Sequence, residues 1–484
     1  MNRRRVLFYV GRIVTLEAAL LAIPLIVALI YKEECASAFL ITIGIALVCG
    51  FAASFVANTK NKVIYAREGF AIVSFAWLFM SALGALPFYI SGAIPSYADA
   101  FFETVSGFTT TGASILTNVE AMPRALLFWR SFTHFIGGMG VLVLVMAILP
   151  DSSGRSIHIM RAEMPGPVVG KIVPKARDTA KILYIMYIFL TFVEVVMLLF
   201  GGMSLYEALV HSFGTAGTGG FSIKADGIAG YSPYIQWVIT VFMFIFGVNF
   251  NLYYLLLIKR FRAVVRSEEM WCYAGAVIVS SAVIAGNIAP MFETAGESIR
   301  QAAFQVVSVI TTTGYATADF NLWPGLSKAI LFVLMFIGGC AGSTAGGLKV
   351  SRIILLIKNV FREIRQLLHP RSVSSVRFDG KSVDRQTQSG VNAYLGIYII
   401  CFAAVFLLIS AEPFDFETNF TAVATCFNNV GPGFGAVGPT GGFSAYSAFA
   451  KYIFSVAMLL GRLEIFPLVL ILAPSNYFKK PGKK

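Results

Sequence analysis

The sequence predicts an all-α polytopic membrane protein in which four similar helix–loop–helix repeats surround one axis and an additional helix pair precedes them. Composition is the first observation behind this prediction, because 57% of the 484 residues are hydrophobic and only 13% are charged. A soluble domain carries about 25% charged residues. The second observation is a short glycine-bearing stretch that occurs four times. We name these stretches glycine segments one to four: residues 109–114, 216–221, 311–316 and 428–433.

The spacing of the glycine segments predicts internal repetition. Aligned on Gly112, Gly219, Gly314 and Gly431, the segments lie 107, 95 and 117 residues apart. Self-similarity at a nearly constant period is the signature of a repeat architecture. We therefore expect four similar quarters around a common axis, which is the geometry of a pore.

Long apolar stretches without Asp, Glu, Lys or Arg predict the membrane spans. A helix needs about 20 apolar residues to cross the hydrocarbon core. The first stretch lacks a small-residue cleavage site, so we expect a retained helix rather than a signal peptide. Together with the charge pattern, these stretches predict ten spans: 7–31, 35–57, 69–91, 124–150, 182–202, 232–258, 270–291, 326–350, 389–411 and 446–472.

The net charge of +13 is explained by membrane topology rather than by nucleic-acid binding. Of the 38 Lys and Arg residues, 30 fall in six segments that follow alternate predicted spans. Basic residues concentrate on the cytoplasmic side of a membrane. We therefore expect a multi-pass membrane protein with both termini in the cytoplasm. The six segments are the N-terminus, 60–67, 155–181, 259–266, 349–385 and 479–484.

An apolar, helix-compatible run of about ten residues precedes each glycine segment and is too short to span the membrane. Non-helical backbone at membrane depth is tolerated only where protein buries it or where it lines a wet cavity. We therefore expect four pseudo-symmetric helix–pore-loop–helix repeats around a central pore. The four runs are 100–107, 206–213, 302–310 and 420–427.

The expected organisation has five parts. Residues 1–62 form the N-terminal two-helix extension, and the third repeat includes an intramembrane loop and a cytoplasmic amphipathic segment. The four pore repeats are 63–155, 156–265, 266–385 and 386–484.

The residue types of the glycine segments suit a dehydrated monovalent cation. Backbone carbonyl oxygens replace the water shell of an ion without a formal charge that would trap it. Glycine adopts the necessary backbone dihedrals at little steric cost, and threonine hydroxyls add oxygens or hold the loop. The segments contain no Asp or Glu, which argues against a divalent cation. The alternative for any single segment is an ordinary Gly/Thr turn between helices.

Six stretches carry motifs that are specific in combination: VSGFTTTGAS (105–114), FGTAGTGGFS (213–222), VSVITTTGYAT (307–317), FNNVGPGFG (427–435), GGCAGSTAGGLK (338–349) and GRLEIFP (461–467). The whole chain resembles the Trk-type potassium uptake proteins of the TrkH kind, in the superfamily with the Ktr and plant HKT transporters. The resemblance implies potassium uptake across the bacterial inner membrane, with K⁺ as the transported ion, no cofactor in this chain and no enzymatic activity.

In that family the glycine segments form a potassium selectivity filter. Val430 departs from the threonine found at the matching position, so the expected filter is asymmetric. A Na⁺-permeable or non-selective monovalent cation transporter is therefore the alternative function. The resemblance assigns ion binding to Thr110, Thr111, Gly112, Thr218, Gly219, Thr312, Thr313, Gly314, Asn429, Val430 and Gly431.

The predicted eighth span contains five glycines in ten residues, each of which costs a helix roughly 1 kcal/mol relative to alanine. We expect the helix to open into a loop beneath the filter, and the resemblance assigns a gating role there. The alternative is close helix packing of the small-xxx-small type. The glycines are Gly338, Gly339, Gly342, Gly346 and Gly347.

Arg462 interrupts the predicted tenth span, and a charge at mid-membrane normally faces a partner or a wet cavity. We expect Arg462 to project into the pore below the filter and to raise the barrier to cations, a role that the resemblance also implies. The alternative is a structural ion pair with a glutamate such as Glu194, since Glu464 lies on another helix face. His134, Asn249 and Asn251 are weaker candidates for lining the inner pore.

Partners follow partly from composition and partly from the resemblance. The basic segment 349–385 can contact anionic lipids or a regulator. The resemblance implies a homodimer and a separate cytosolic TrkA-type subunit with nucleotide-binding domains. Two transport modes fit the sequence, channel-like conduction and symport with H⁺ or Na⁺. A non-conducting membrane receptor or an intramembrane enzyme is the remaining alternative, although the four histidines build no cluster.

Overall fold

The computed structural model describes residues 2–57, 66–140, 176–371 and 375–472. Two long helices, α1 (Arg3–Tyr31) and α2 (Ala36–Val56), begin the fold. They touch at glycines, because a Cβ on Gly11 would lie 2.8 Å from the carbonyl oxygen of Gly50. Small residues allow such close approach of helices in a membrane.

The remaining helices form four groups, each with a long helix, a short buried helix, a glycine segment and a second helix, in that order. Group one contains α3 (Ala66–Gly84), α4 (Leu86–Ile90), α5 (Tyr97–Phe108) and α6 (Arg124–Gly138). Group two contains α7 (Ala176–Phe200), α8 (Leu205–Gly217), α9 (Pro233–Phe246) and α10 (Phe250–Leu257), followed by the linking helix α11 (Phe261–Val265).

Group three contains α12 (Glu268–Ile288), α13 (Ala295–Ile310), α14 (Gly325–Ile337) and α15 (Val350–Leu368), with short 3₁₀ turns at Ala289–Met291 and Phe320–Leu322. An antiparallel hairpin follows, in which β1 (Arg377–Phe378) pairs with β2 (Lys381–Ser382). Group four contains α16 (Arg385–Ile409), α17 (Phe416–Asn428), the 3₁₀ turn Gly435–Val437, α18 (Ala448–Arg462) and α19 (Phe466–Leu472).

The short helices α5, α8, α13 and α17 lie in the interior of the fold. Nearly every residue in their C-terminal halves is buried, as in α5, where residues 100–108 are all buried. Side-chain caps define where these helices begin, because Ser96 and Thr294 each accept a hydrogen bond from a first-turn amide. Ser204 and Glu207 form a reciprocal capping box at the start of α8. The predicted runs therefore mark true helices that are somewhat longer than expected.

Several of the ten predicted spans are not single long helices in the structure. Within the described ranges, six helices are long and apolar enough to cross a membrane, and a seventh span is possible if the bent pair α9–α10 counts as one. The angle between α9 and α10 is 89°. The first helix ends at Phe246, and Asn249 caps the second through a 2.9 Å bond from the amide of Asn251. The predicted span 232–258 is therefore not one straight helix.

Two more predicted spans are interrupted. The span 326–350 ends as a helix at Ile337, as its glycines predicted, and continues as a loop to α15. The span 446–472 breaks between α18 and α19, where Glu464 and Ile465 both have positive φ. The second half of the predicted span 124–150 falls outside the described residues. In each group the helix after the glycine segment is thus short or broken, whereas the helix that begins the group is long.

Candidate functional site

The four glycine segments contact one another in chain order and close into a ring. The contacts are so close that a Cβ on one glycine of each segment, which we call its ring glycine, would collide with a carbonyl oxygen of the next segment. The distances from such a Cβ are 2.0 Å (Gly112 to Gly219), 2.0 Å (Gly220 to Thr313), 2.1 Å (Gly314 to Val430) and 2.8 Å (Gly431 to Thr111). Only glycine fits at these four positions without moving the backbone of the neighbouring segment.

The same backbone conformation occurs in each segment. A residue with φ between 55° and 57° is followed two positions later by a glycine with φ between 76° and 102°. The pairs are Thr110 and Gly112, Thr218 and Gly220, Thr312 and Gly314, and Asn429 and Gly431. Left-handed conformations of this kind are strained for most side chains and free for glycine.

The structure therefore changes the alignment of the second segment by one residue. The equivalent of Gly112 is Gly220, whereas the sequence alignment was based on Gly219. Gly219 occupies the position held by Thr111, Thr313 and Val430 in the other segments, and like them it presents a carbonyl oxygen to the ring glycine of the previous segment. Because residues 219 and 220 are both glycine, only the backbone angles distinguish the two alignments.

Each short helix ends in the same hydrogen bond, which directs its C-terminus at the ring. In each case the amide of the residue before the ring glycine donates to a carbonyl oxygen five residues earlier. These bonds are Thr111 to Ser106 (2.9 Å), Gly219 to Gly214 (2.8 Å), Thr313 to Ser308 (2.8 Å) and Val430 to Thr425 (2.9 Å). The partial negative charge of a helix C-terminus favours a cation nearby.

The threonine hydroxyls hold the segments in shape. Thr109 donates to the carbonyl oxygen of Val105 over 2.7 Å, and its hydroxyl lies 2.8 Å from that of Thr111. Thr311 and Thr313 repeat the hydroxyl pair in segment three, also at 2.8 Å. In segment four the side-chain amide of Asn429 donates to the hydroxyl of Thr111 over 2.9 Å. This bond joins the last segment to the first and closes the ring with a side-chain contact.

A buried ion pair braces the ring from behind. Nε of Arg130 on α6 lies 2.6 Å from Oε1 of Glu103 on α5, and both side chains are buried. Glu103 also accepts bonds from the hydroxyl of Ser114 and the amide of Ile115, each 2.9 Å long. Arg130 donates to the carbonyl oxygen of Ser222 over 3.1 Å. The pair thus connects the outer ends of segments one and two.

Sequence reasoning did not identify this ion pair. Its two members are 27 residues apart and lie on different helices. The available signal was Arg130, a charge inside the predicted span 124–150, since such charges are rarely without a partner or a function.

A wide cavity of about 400 Å³ opens on one side of the ring. All four ring glycines, Gly112, Gly220, Gly314 and Gly431, line it, together with Arg130 and Lys224. A hydrated cation therefore has room to reach this side of the ring.

Loop 338–349, the connection between α14 and α15, lies against the opposite side of the ring. The amide of Gly346 donates to the hydroxyl of Thr312 over 2.6 Å, and the amide of Gly347 donates to the carbonyl oxygen of Asn428 over 3.1 Å. A Cβ on Gly346 would lie 2.4 Å from the Asn428 carbonyl oxygen. The loop is therefore in direct contact with segments three and four.

Arg462 joins this loop to α6. Its Nη1 donates to the carbonyl oxygen of Thr344 over 2.8 Å, and its Nη2 donates to those of Gly137 and Gly138, each over 2.5 Å. Glu194, the alternative partner considered from the sequence, is buried on α7, and its carboxylate oxygens accept no hydrogen bond from Arg462. The guanidinium therefore binds backbone oxygens from two sides of the space below the ring.

The space below the ring is small. The cavity there has a volume of about 30 Å³, enough for one or two water molecules. Gly342, Gly346, Gly347 and Arg462 line it, as does Lys349. Of the residues assigned to gating from the sequence, Gly338 and Gly339 do not line this cavity and instead pack where the loop leaves α14. Their close contacts are with Gly346, Ala345 and Gly247.

Lys349 and Glu269 are two further residues that the sequence did not identify. Lys349 is buried and donates from Nζ to the carbonyl oxygen of Ala345 within the loop. Oε1 of Glu269, at the start of α12, accepts from the amides of Ala341 (2.7 Å) and Ser351 (3.1 Å). One carboxylate thereby holds the loop near both of its ends.

A bidentate ion pair fixes α15 to the break in the last span. Arg352 on α15 donates to both carboxylate oxygens of Glu464, the residue that follows α18 with positive φ. Planar guanidinium–carboxylate pairs of this kind are geometrically specific. This ion pair therefore links α15, which follows loop 338–349, to the end of α18, which carries Arg462.

His134 lies behind the ring and not in the cavity below it. Its ring stacks on Phe221 with the centroids 4.2 Å apart. A Cβ on Gly219 would lie 2.3 Å from Nδ1 of His134. The imidazole therefore occupies the volume that a side chain would fill in the other three segments, which explains why residue 219 is a glycine.

The comparisons with known proteins agree over the whole chain. The TrkH family, described as a cation transport protein family, matches residues 36–271 and 279–480. The chain is 37% identical to the Trk system potassium uptake protein TrkH of Escherichia coli K12, over 98% of this chain and 99% of that protein. It is 34% identical to the protein of the same name from Halomonas elongata, over 99% of this chain and 100% of that protein.

The fold agrees as well. The crystal structure of the potassium transporter TrkH from Vibrio parahaemolyticus matches with a TM-score of 0.88 and 32% identity, over 99% of this chain and 100% of that one. The resemblance inferred from the motifs is confirmed, and so is the expectation of a transport protein rather than an enzyme. The chain, a multi-pass membrane protein, belongs to the TrkH family of cation transport proteins.

Proposed function

We propose that this protein takes up K⁺ across the bacterial inner membrane and that the ring of glycine segments is its selectivity filter. The observation that carries the proposal is the closed ring, in which four equivalent carbonyl oxygens each face the ring glycine of the previous segment. Carbonyl oxygens replace the hydration shell of an alkali cation without a trapping charge. Four short helices end at the ring, and their C-terminal dipoles favour a cation.

Loop 338–349 acts with Arg462 as the gate in this proposal. The loop lies directly against segments three and four, and together with Arg462 it lines a cavity of only about 30 Å³. Arg462 and Lys349 line that cavity, and the positive charge of Arg462 repels a cation there. Conduction therefore requires the loop to move and the bonds of Arg462 to break.

The wider organisation follows the same proposal. The extension 1–62 supports four pore repeats, 63–155, 156–265, 266–385 and 386–484, with both termini in the cytoplasm. The relatives are named as members of a Trk system, and we assign to this chain a homodimer regulated by a cytosolic TrkA-type subunit with nucleotide-binding domains. Light scattering of the purified complex, with and without that subunit, tests the stoichiometry.

Uptake of ⁸⁶Rb⁺ into proteoliposomes that contain the purified protein tests the proposed function. We expect uptake that excess K⁺ inhibits and excess Na⁺ does not. Equal inhibition by both ions would replace the proposal with a non-selective cation transporter, to which the absence of a hydroxyl at Val430 points. If no uptake occurs, with or without the regulatory subunit, the result would contradict conduction and favour a non-conducting receptor.

A further inference from the structure

The C-terminal half of α15 carries an exposed apolar stripe that the proposed pore does not use. Six large apolar side chains, each at least 47% exposed, recur at intervals of three and four residues. This spacing places them on one face of the helix. The six residues are Ile357, Val360, Phe361, Ile364, Leu367 and Leu368.

A basic groove of about 590 Å³ lies beside this stripe, between α15 and the β1–β2 hairpin. Four cationic side chains line it: Lys358, Arg362, Arg365 and Arg377. Phe361, Ile364 and Leu368 of the stripe line the same groove. The groove therefore offers positive charge and apolar surface side by side.

Two of the four cations have no compensating carboxylate in the part of the chain that the structure describes. Lys358 forms an ion pair with Glu268, and Arg362 forms one with Glu363. Among the described residues, Arg365 and Arg377 have no carboxylate within ion-pair distance. Guanidinium groups present a planar fork of donors that matches phosphate oxygens. The uncompensated charge is thus of the kind that binds a phosphate group.

The position of the groove relative to the membrane follows from its contacts with α12, a candidate membrane span. Glu268, the first residue of α12, pairs with Lys358, and its amide donates to Asp379 of the hairpin over 2.7 Å. Trp271, one turn further along α12, is 62% exposed and donates from its indole to the carbonyl oxygen of Val265. Exposed tryptophans mark the membrane–water interface, so the groove lies at headgroup level.

We propose that this groove binds the headgroup phosphate of an anionic phospholipid, with its acyl chains along the apolar stripe of α15. The apolar stripe favours a lipid over an acidic soluble protein, because such a protein would leave six large apolar side chains in water. α15 begins at Val350, directly after loop 338–349. A lipid bound on α15 therefore acts on the helix that continues the proposed gate.

The test measures lipid binding directly, by native mass spectrometry of the full-length protein in neutral detergent titrated with phosphatidylglycerol. We expect the double variant R365Q/R377Q to bind about thirtyfold more weakly than the wild type, since each basic residue near anionic lipid contributes roughly fivefold. The charge-preserving variant R365K/R377K should lose much less affinity. Phosphatidylcholine should bind all three proteins equally weakly.

The matched control is R260Q/R262Q, which removes two exposed charges outside the groove. An equal loss of affinity in this control, or unchanged affinity in R365Q/R377Q, would overturn the proposal. Binding of poly-L-glutamate as tight as that of phosphatidylglycerol would also overturn it and assign the groove to an acidic protein partner. The lipid titration does not depend on ion flux, so its result stands apart from that of the ⁸⁶Rb⁺ experiment.

Discussion

Arg462 and Thr344 are joined by a 2.8 Å hydrogen bond from the guanidinium to the backbone carbonyl oxygen. The bond connects the end of α18 to the centre of loop 338–349, although 118 residues separate the two in the chain. It therefore couples the position of the Arg462 charge to the position of the loop beneath the ring.

Substitution of Arg462 by alanine is expected to raise basal ⁸⁶Rb⁺ uptake by about tenfold or more. The change removes a positive charge from the inner cavity and three hydrogen bonds to Thr344, Gly137 and Gly138, and a bond to a charged group is worth roughly 1.5–3 kcal/mol. Arg371→Ala, at an exposed position, is the control. Unchanged or lower uptake at normal expression would contradict the gating role.

The alignment of segment two can be tested with His134. Gly219→Ala is expected to reduce flux, because its Cβ would meet the His134 ring at 2.3 Å, and the additional change His134→Ala should restore much of the loss. Gly220→Ala should reduce flux at least as strongly and should not be rescued, because its Cβ would meet the backbone oxygen of Thr313. Measurements of ⁸⁶Rb⁺ uptake compare the four proteins.

Gly286→Ala is the control for this series, since its Cβ would meet nothing within 4 Å. Rescue of Gly220→Ala by His134→Ala, without rescue of Gly219→Ala, would show that Gly219 is the true ring glycine.

Loss of Glu103 is expected to destabilise the protein strongly. Glu103→Ala leaves Arg130 buried without its carboxylate, and breaking a buried pair in this way costs about 3–5 kcal/mol. The double change Glu103→Leu with Arg130→Met should cost less than the single change. Thermal unfolding of the detergent-solubilised protein provides the measurement.

The exposed pair Lys328–Glu417 is the matched control, because surface pairs contribute about 0–1 kcal/mol. If Glu103→Ala lowers the Tm no more than Lys328→Met, then the buried pair does not brace the ring.

Glu269→Ala is expected to increase basal uptake, because the carboxylate holds loop 338–349 through the amides of Ala341 and Ser351. Glu269→Gln keeps one acceptor oxygen and should have a smaller effect. The flux assay measures both variants beside Glu268→Gln, whose carboxylate contacts Lys358 and not the loop. A similar flux in all three variants and the wild type would argue against a role for Glu269 in holding the gate.

Much of the architecture was predictable because it depends on local chain chemistry. The apolar composition predicted a membrane protein, and the glycine content of 338–347 predicted a helix break, which the structure has from Gly338 onward. The composition predicted the spans 232–258 and 446–472 but not the breaks within them. Apolar composition alone cannot show a bend of 89° that depends on one capping asparagine and its neighbours.

The contacts around the ring were not predictable in the same way. Gly219 and Gly220 are chemically identical in the sequence, and only the dihedral angles imposed by neighbouring segments distinguish their roles. Glu103 and Arg130, or Glu269 and the two amides it binds, lie on separate helices at unrelated positions in the chain. Such pairs leave no periodic pattern.

The sequence by itself determined that the protein lies in a membrane and that it has four glycine segments, because hydrophobicity and glycine content are properties of individual residues. Only the tertiary structure decided which glycine of segment two joins the ring, which carboxylates hold the ring and the loop, and where Arg462 places its charge. These outcomes depend on distances between segments that are hundreds of residues apart in the chain, such as Thr111 and Asn429, and packing alone sets those distances.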